Sequence, residues 1–274
     1  NGEAQIAAKV LATVNAPAYG LQRPVSSIGQ AVTFLGLNTV RSICMRDLMS
    51  ESFPLGDPAL KQAYRQIWNA SALASELCNR LSARLGLADG GALVAQVLLS
   101  FLGHLASATL LAAQGAARSQ PLAPGAPLLD RTRAAQAALG LGPAEIGGLL
   151  LQGWGLPPAI VDPVRAIDRL LVTPPGALAD AGGTGRAGQD EADGHRLAVA
   201  HLCARLGEQL AGGATLASAG SLAGLAAALT EAEDSFHLRQ HLAHPALARL
   251  AEHLQAPELA QALMTLQQGM QSQR

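Results

Sequence analysis

Apolar residues recur at helical spacing along almost the whole chain, and no series of alternating strands interrupts them. The pattern predicts helices at about 3–14, 27–35, 39–50, 58–86, 91–114, 129–139, 143–153, 157–171, 195–211, 219–230, 234–253 and 257–271. Glycine and proline clusters separate these segments. We found no repeat of fixed period. The sequence therefore predicts an all-α fold.

Two short segments near the N-terminus carry turn and cap signals. Ser27 and Gln30 have the spacing of a capping box, which predicts a helix start at residue 27. The run "NAPAYG" at 15–20 predicts a rigid turn, in which Asn15 caps or bonds locally and Pro17 fixes the backbone.

The segment from Gly90 to Ala117 contains no charged residue, so it is long enough to raise the question of a membrane span. Gln96, Ser100 and His104 recur at every fourth position and form a polar stripe. No aromatic belt or cluster of basic residues marks its ends. We therefore predict a buried helix of a soluble domain, with no membrane partner.

Residues 173–194 are rich in glycine, alanine and aspartate and have no periodic apolar face, which predicts a flexible loop. We expect a helical bundle over residues 1–210 that contains this loop, followed by a C-terminal helical subdomain over 211–274. We also expect Trp68 and Trp154 to pack in the core, because their neighbours are apolar.

The composition of the chain limits the classes of partner that we expect for this protein. The formal net charge is −1 and charged residues make up 14% of the chain, so no strongly basic surface favours nucleic acid. Three widely spaced cysteines without a CxxC pair indicate free thiols in a reducing compartment, and we expect a cytoplasmic protein. The first residues read as the middle of a helix, so we expect a segment of a longer protein.

The stretch "KVLATVNAPAYGLQRPVSSIGQAVTFLGLNTVRSIC" resembles the opening of HDOD domains, with many residues in agreement at fixed spacing. Three later stretches, "IWNASALASELCNRL", "LLSFLGHLA" and "LGLGPAEIGGLLLQGWGLPPAIVDPVR", also resemble this family. The resemblance extends over about residues 1–210. It implies an HD-like helical bundle related to metal-dependent phosphohydrolases, and a role as a signalling or output module in bacteria.

The resemblance also indicates where HD enzymes would carry metal ligands. These degenerate positions hold Ala70, Ser100, Phe101, Pro143, Ile167 and Asp168. Most of these side chains offer no oxygen or nitrogen to a cation, so we expect no catalytic residue, no metal and no cofactor.

Four histidines remain open as weaker metal candidates. His104 lies one helical turn after Ser100, and it reads either as a displaced ligand or as a core histidine. His237, His241 and His244 could share one helix face, although no HExxH motif is present.

The sequence thus favours a non-enzymatic bacterial signal-transduction module that acts through protein contacts, as part of a response-regulator-like protein. Its partner would be an upstream receiver or sensory domain. The alternative is a metal-dependent HD-type phosphohydrolase or a cyclic-nucleotide-binding domain with a degenerate site. The regulatory surface is predicted around Tyr19, Gln22, Arg23 and Arg41.

Overall fold

The computed structural model describes residues 10–11, 14–15, 24–36, 40, 58–87, 90–113, 128–172, 187–230 and 244–271. The chain forms two compact units. One comprises residues 1–54 together with 256–274, and the other comprises residues 55–255. The boundary that we predicted after residue 210 stays a prediction.

The described residues are helices and short connections, and none of them lies in a strand, which confirms the all-α fold. The helices are α1 (Ile28–Leu35), α2 (Pro58–Leu85), α3 (Gly90–Ala113), α4 (Leu128–Leu139), α5 (Pro143–Gly153), α6 (Pro158–Val172), α7 (Ala187–Ala211), α8 (Leu216–Ala219), α9 (Leu222–Thr230), α10 (His244–Leu254) and α11 (Pro257–Gln271). Most of the bounds lie within two residues of those predicted.

Helix α3 is at the centre of the larger unit. It packs against α2, α4, α5, α6 and α7, and α2 also packs along α7. By length and hydropathy α3 could cross a membrane, and α4 with α5 would pass the same test only if this bent pair were one span, but most of α3 is buried inside the protein. The described part of the uncharged segment is thus a core helix, as predicted.

Glycines permit close approach of the helices around α3. A Cβ on Gly103 would overlap the carbonyl oxygen of Pro143, and a Cβ on Gly147 would lie 3.1 Å from the backbone nitrogen of Gly103. The backbones of α3 and α5 therefore touch at this point, and only glycine fits at position 103 without a shift of one helix.

In the smaller unit, Asn15 binds the backbone of Val25. The side-chain amide of Asn15 donates to the Val25 carbonyl oxygen (2.8 Å), and the Val25 N–H donates to Asn15 Oδ1 (2.7 Å). Asn15 also donates to the carbonyl oxygen of Leu11 (2.9 Å). These bonds confirm that Asn15 bonds locally and fix the entry to α1.

The capping box is confirmed in a modified form. The backbone N–H of Gln30 donates to Ser27 Oγ (3.2 Å), as predicted. The side chain of Gln30 accepts from the N–H of Ser26 (3.0 Å), whereas the standard motif would use Ser27. An apolar cluster lies beside this start, with Val10, Val14, Ala31 and Val40 buried in it.

Two predictions require correction. Helix α7 begins at Ala187, so the last eight residues of the predicted loop 173–194 are helical, while 173–186 lie outside the described residues. An existing helix extends at low cost even without an apolar face, because nucleation is the expensive step. Trp154 follows the end of α5 and is 42% exposed, so it is not a core residue.

Candidate functional site

A small cavity lies between α3, α5 and α7, where Ser100 and Phe101 occupy two of the degenerate ligand positions. Its lining residues are Val97, Ser100, Phe101, His104, Ala144, Ala200, His201, Ala204, Arg205 and Glu208. Its volume is about 20 Å³, which is room for roughly one water molecule. In this conformation the cavity is therefore too small for a nucleotide.

Three ionic side chains form a cluster beside the cavity. The guanidinium of Arg131, from α4, donates a hydrogen bond to Glu208 Oε1. Arg205 Nη1 donates to Glu208 Oε2 over 2.6 Å, so both carboxylate oxygens are engaged. The side chains of Arg205 and Glu208 are only 7% and 12% exposed. One buried carboxylate thus faces two guanidinium groups.

Burial raises the pKa of Glu208, but the charges of Arg131 and Arg205 outweigh this effect and hold the pKa below its usual value. The carboxylate is therefore ionised at neutral pH. With both arginines charged, the three side chains carry a net charge of +1.

The two cavity histidines are uncharged at neutral pH. Burial lowers the pKa of His104, and the nearby Arg131 lowers it further against the opposing attraction of Glu208, so that the pKa is about 3. Burial and Arg205 similarly lower the pKa of His201 to about 4. Since each imidazole is neutral, the net positive charge of the ion cluster comes from the arginines.

Two of the predicted degenerate positions line the cavity, and a third is adjacent to it in sequence. Ser100 and Phe101 line it directly, and buried Pro143 immediately precedes the lining residue Ala144. The hydroxyl of Ser100 donates to the carbonyl oxygen of Val97 in its own helix (2.7 Å). Its proton is thus already used within α3.

Ala70 is buried on α2 and does not line the cavity. Its carbonyl oxygen would lie 2.5 Å from a Cβ on Gly207, so α2 and α7 are in close contact one residue before Glu208.

Several predicted residues are not described in atomic detail. Ile167 and Asp168 lie in α6 and His244 opens α10, but their side chains are outside the described set. The remaining candidates, His237, His241, Tyr19, Gln22, Arg23 and Arg41, lie outside the described residues altogether.

Within the described part of the chain, no group of three or more His, Cys, Asp or Glu side chains is arranged to hold a metal ion. His104, His201 and Glu208 do border one cavity. However, the Glu208 carboxylate is already bound to two arginines, and a cation placed there would be repelled by both. The chemistry of this donor set therefore opposes a divalent metal.

Sequence reasoning missed the ion cluster. His201, Arg205 and Glu208 are spaced four and three residues apart, so they share one face of a helix, and this signal was available. Arg131 could not have been found in this way, because it comes from another helix 77 residues away from Glu208.

The helical bundle thus carries a cavity that is lined by Ser100 and Phe101, two of the degenerate positions. A model of the HDOD domain family matches residues 1–170, and the chain belongs to this family. HDOD domains are HD-related domains associated with signalling. Comparisons with curated proteins and with solved structures gave no significant match.

Proposed function

We propose that this protein is a non-enzymatic signal-transduction module that acts through protein contacts in the bacterial cytoplasm. By resemblance to its family, its input would come from a receiver or sensory domain of a response-regulator-like protein. One observation carries the proposal: at the HD cavity, Arg131 and Arg205 bind the carboxylate of Glu208.

This cluster opposes HD chemistry for an electrostatic reason. A catalytic metal must lower the pKa of a bound water and stabilise charge on phosphate oxygens, and it needs anionic or neutral ligands that are free to bind it. Here the nearby carboxylate is neutralised by guanidinium groups, and Phe101 fills a position that would need a ligand. The small volume also disfavours the alternative of a cyclic-nucleotide site.

Exposed apolar side chains support a role in protein contact. Leu149 on α5, Trp154 after α5, and Ile160 on α6 are 47%, 42% and 39% exposed. Leu149 and Ile160 lie on two helices that pack against each other, and Trp154 lies in the connection between these helices. Tryptophan in particular is among the residues that most often anchor protein interfaces.

A separation-of-function experiment tests the proposal. A strain that lacks the gene is complemented with His104→Gln, His201→Gln, Leu149→Glu or Trp154→Glu variants. The readout is the transcript profile of the cells, which the deletion alters. The cavity variants should restore the profile, because no chemistry depends on them. The two surface variants should not, since a carboxylate at these positions would oppose an apolar contact.

Thermal unfolding and expression level are measured for every variant, so that failure through misfolding is recognised. Loss of function in stable cavity variants, with full function in the surface variants, would contradict the proposal. Metal-dependent hydrolysis of a generic phosphodiester by the purified protein would instead favour the phosphohydrolase alternative.

A further inference from the structure

Helices α2 and α7 pack at unusually short range. A Cβ on Gly207 of α7 would lie 2.5 Å from the carbonyl oxygen of Ala70 and 2.7 Å from the Cβ of Ala74. Such separations exclude any side chain at position 207, so the two backbones are nearly in contact here. Residues one helical turn along the same faces are therefore also close neighbours.

Cysteines occupy these neighbouring positions on both helices. Cys78 lies four residues after Ala74, and Cys203 lies four residues before Gly207. Both are free thiols with no exposed surface. Each thiol shifts the pKa of the other, as neighbouring thiols do, and the sulfur of Cys78 lies 3.7 Å from Ser82 Oγ.

The pair is chemically asymmetric. The neighbouring Cys203 thiol lowers the pKa of Cys78 against the effect of burial, with smaller contributions from Ser82 and Arg196. The neighbouring Cys78 thiol, together with burial, raises the pKa of Cys203 well above its usual value. Cys78 is therefore the thiol that ionises first, and the thiolate is the reactive form.

We propose that Cys78 and Cys203 form a reversible disulfide that joins α2 to α7 when the protein meets a small disulfide oxidant. The Cys78 thiolate attacks one sulfur of the oxidant, the oxidant's S–S bond breaks, and one small thiol leaves. Cys203 then loses its proton and attacks the Cys78 sulfur, which releases the second small thiol. Two protein thiols are oxidised and one small disulfide is reduced to two thiols.

Burial determines the kinetics of this step, because neither sulfur is exposed to solvent. The oxidant reaches Cys78 only during local opening of the α2–α7 contact, which happens without global unfolding. The modification is thus slow compared with that of an exposed thiol. This inference is independent of the proposed signalling role, since neither Cys78 nor Cys203 lines the cavity and neither is exposed.

The test uses the full chain and bis(2-hydroxyethyl) disulfide in native buffer. After quenching with N-ethylmaleimide, peptide mass spectrometry should find Cys78 linked to Cys203. In a second sample quenched with acid, the link should remove two of the three thiols of the chain, and a mixed disulfide at Cys44 is recognised separately by its added mass. Reduction with dithiothreitol should restore all three.

Matched variants define the result. Cys44→Ser should still form the link and lose both remaining thiols, whereas Cys78→Ser and Cys203→Ser should yield no linked peptide. Identification of the link in the unmodified chain does not depend on the folding of any variant. A link that requires Cys44, or that appears only in the presence of urea, would overturn the proposal. The proposal would also be overturned if the thiols of Cys78 and Cys203 stayed reduced.

Discussion

The guanidinium of Arg131 donates a hydrogen bond to the carboxylate of Glu208, from a helix 77 residues earlier in the chain. This contact ties α4 to α7 at the edge of the cavity where an HD enzyme would hold its metal. A buried ion pair adds little net stability over an apolar pair of similar volume, but removal of one partner leaves an uncompensated charge. The cluster is therefore sensitive to single substitutions.

Glu208→Gln should lower the free energy of unfolding at neutral pH by about 3 kcal/mol, since Arg131 and Arg205 would lose their counter-charge. Urea denaturation measures the change. Glu252→Gln is the control, because Glu252 is exposed on α10 and its substitution should cost less than about 0.5 kcal/mol. If the two substitutions changed the free energy of unfolding equally, the buried carboxylate would be no more important for stability than an exposed one.

Gly103→Ala should destabilise the larger unit strongly, because the new Cβ would overlap the carbonyl oxygen of Pro143. Overpacking of this kind costs about 1–3 kcal/mol or more. Gly91→Ala, in the same helix, is the matched control: a Cβ there meets nothing within 4 Å, and alanine should be neutral or stabilising by up to about 1 kcal/mol. Thermal unfolding compares them, and a stable Gly103→Ala variant would refute the close contact.

Stability should fall as the pH drops below about 6.5, the usual pKa of histidine. The pKa values of His104 and His201 are lowered to about 3 and about 4 in the folded protein. Between about pH 4 and 6.5 the unfolded chain therefore binds more protons than the folded one, and acid favours unfolding. Above about pH 7 the two histidines contribute no pH dependence.

The slope from each histidine approaches about 1.4 kcal/mol per pH unit. Below the usual pKa of a carboxylate, protonation of Glu208 adds a further loss, because its folded pKa is lowered. Urea denaturation across this pH range should show a shallower decline in His104→Gln than in the parent protein. His253→Gln, outside the cavity, serves as the control, and an unchanged slope in His104→Gln would contradict the assigned environment.

Asn15→Ala should loosen the start of α1 by about 1–2 kcal/mol, because the N–H and carbonyl oxygen of Val25 both lose their side-chain partner. Hydrogen exchange of the Val25 amide should accelerate. Asn15→Asp keeps an acceptor for the Val25 N–H but loses the donor, so it should retain part of the protection. If the Val25 amide were protected from exchange equally in Asn15→Ala and in the parent protein, the bonds would be dispensable.

The sequence predicted the helices well because their apolar spacing and their glycine and proline boundaries are local signals. The resemblance to HDOD domains also located Ser100, Phe101 and Pro143 near the cavity. The partnership of Arg131 with Glu208 depends on tertiary packing and leaves no local signal. Trp154 was placed wrongly in the core because apolar neighbours in sequence do not determine exposure at the end of a helix.

The most direct test of our proposal that this protein lacks HD chemistry is titration of the purified, metal-free protein with Mn²⁺, Fe²⁺ and Zn²⁺. Bound metal is determined by elemental analysis after gel filtration. We expect no stoichiometric metal at the cavity, because two guanidinium groups already occupy the only carboxylate among its lining residues. Any residual binding should be equal in His104→Ala, His201→Ala and the parent protein. One equivalent of metal per chain that is lost in both variants would contradict this conclusion.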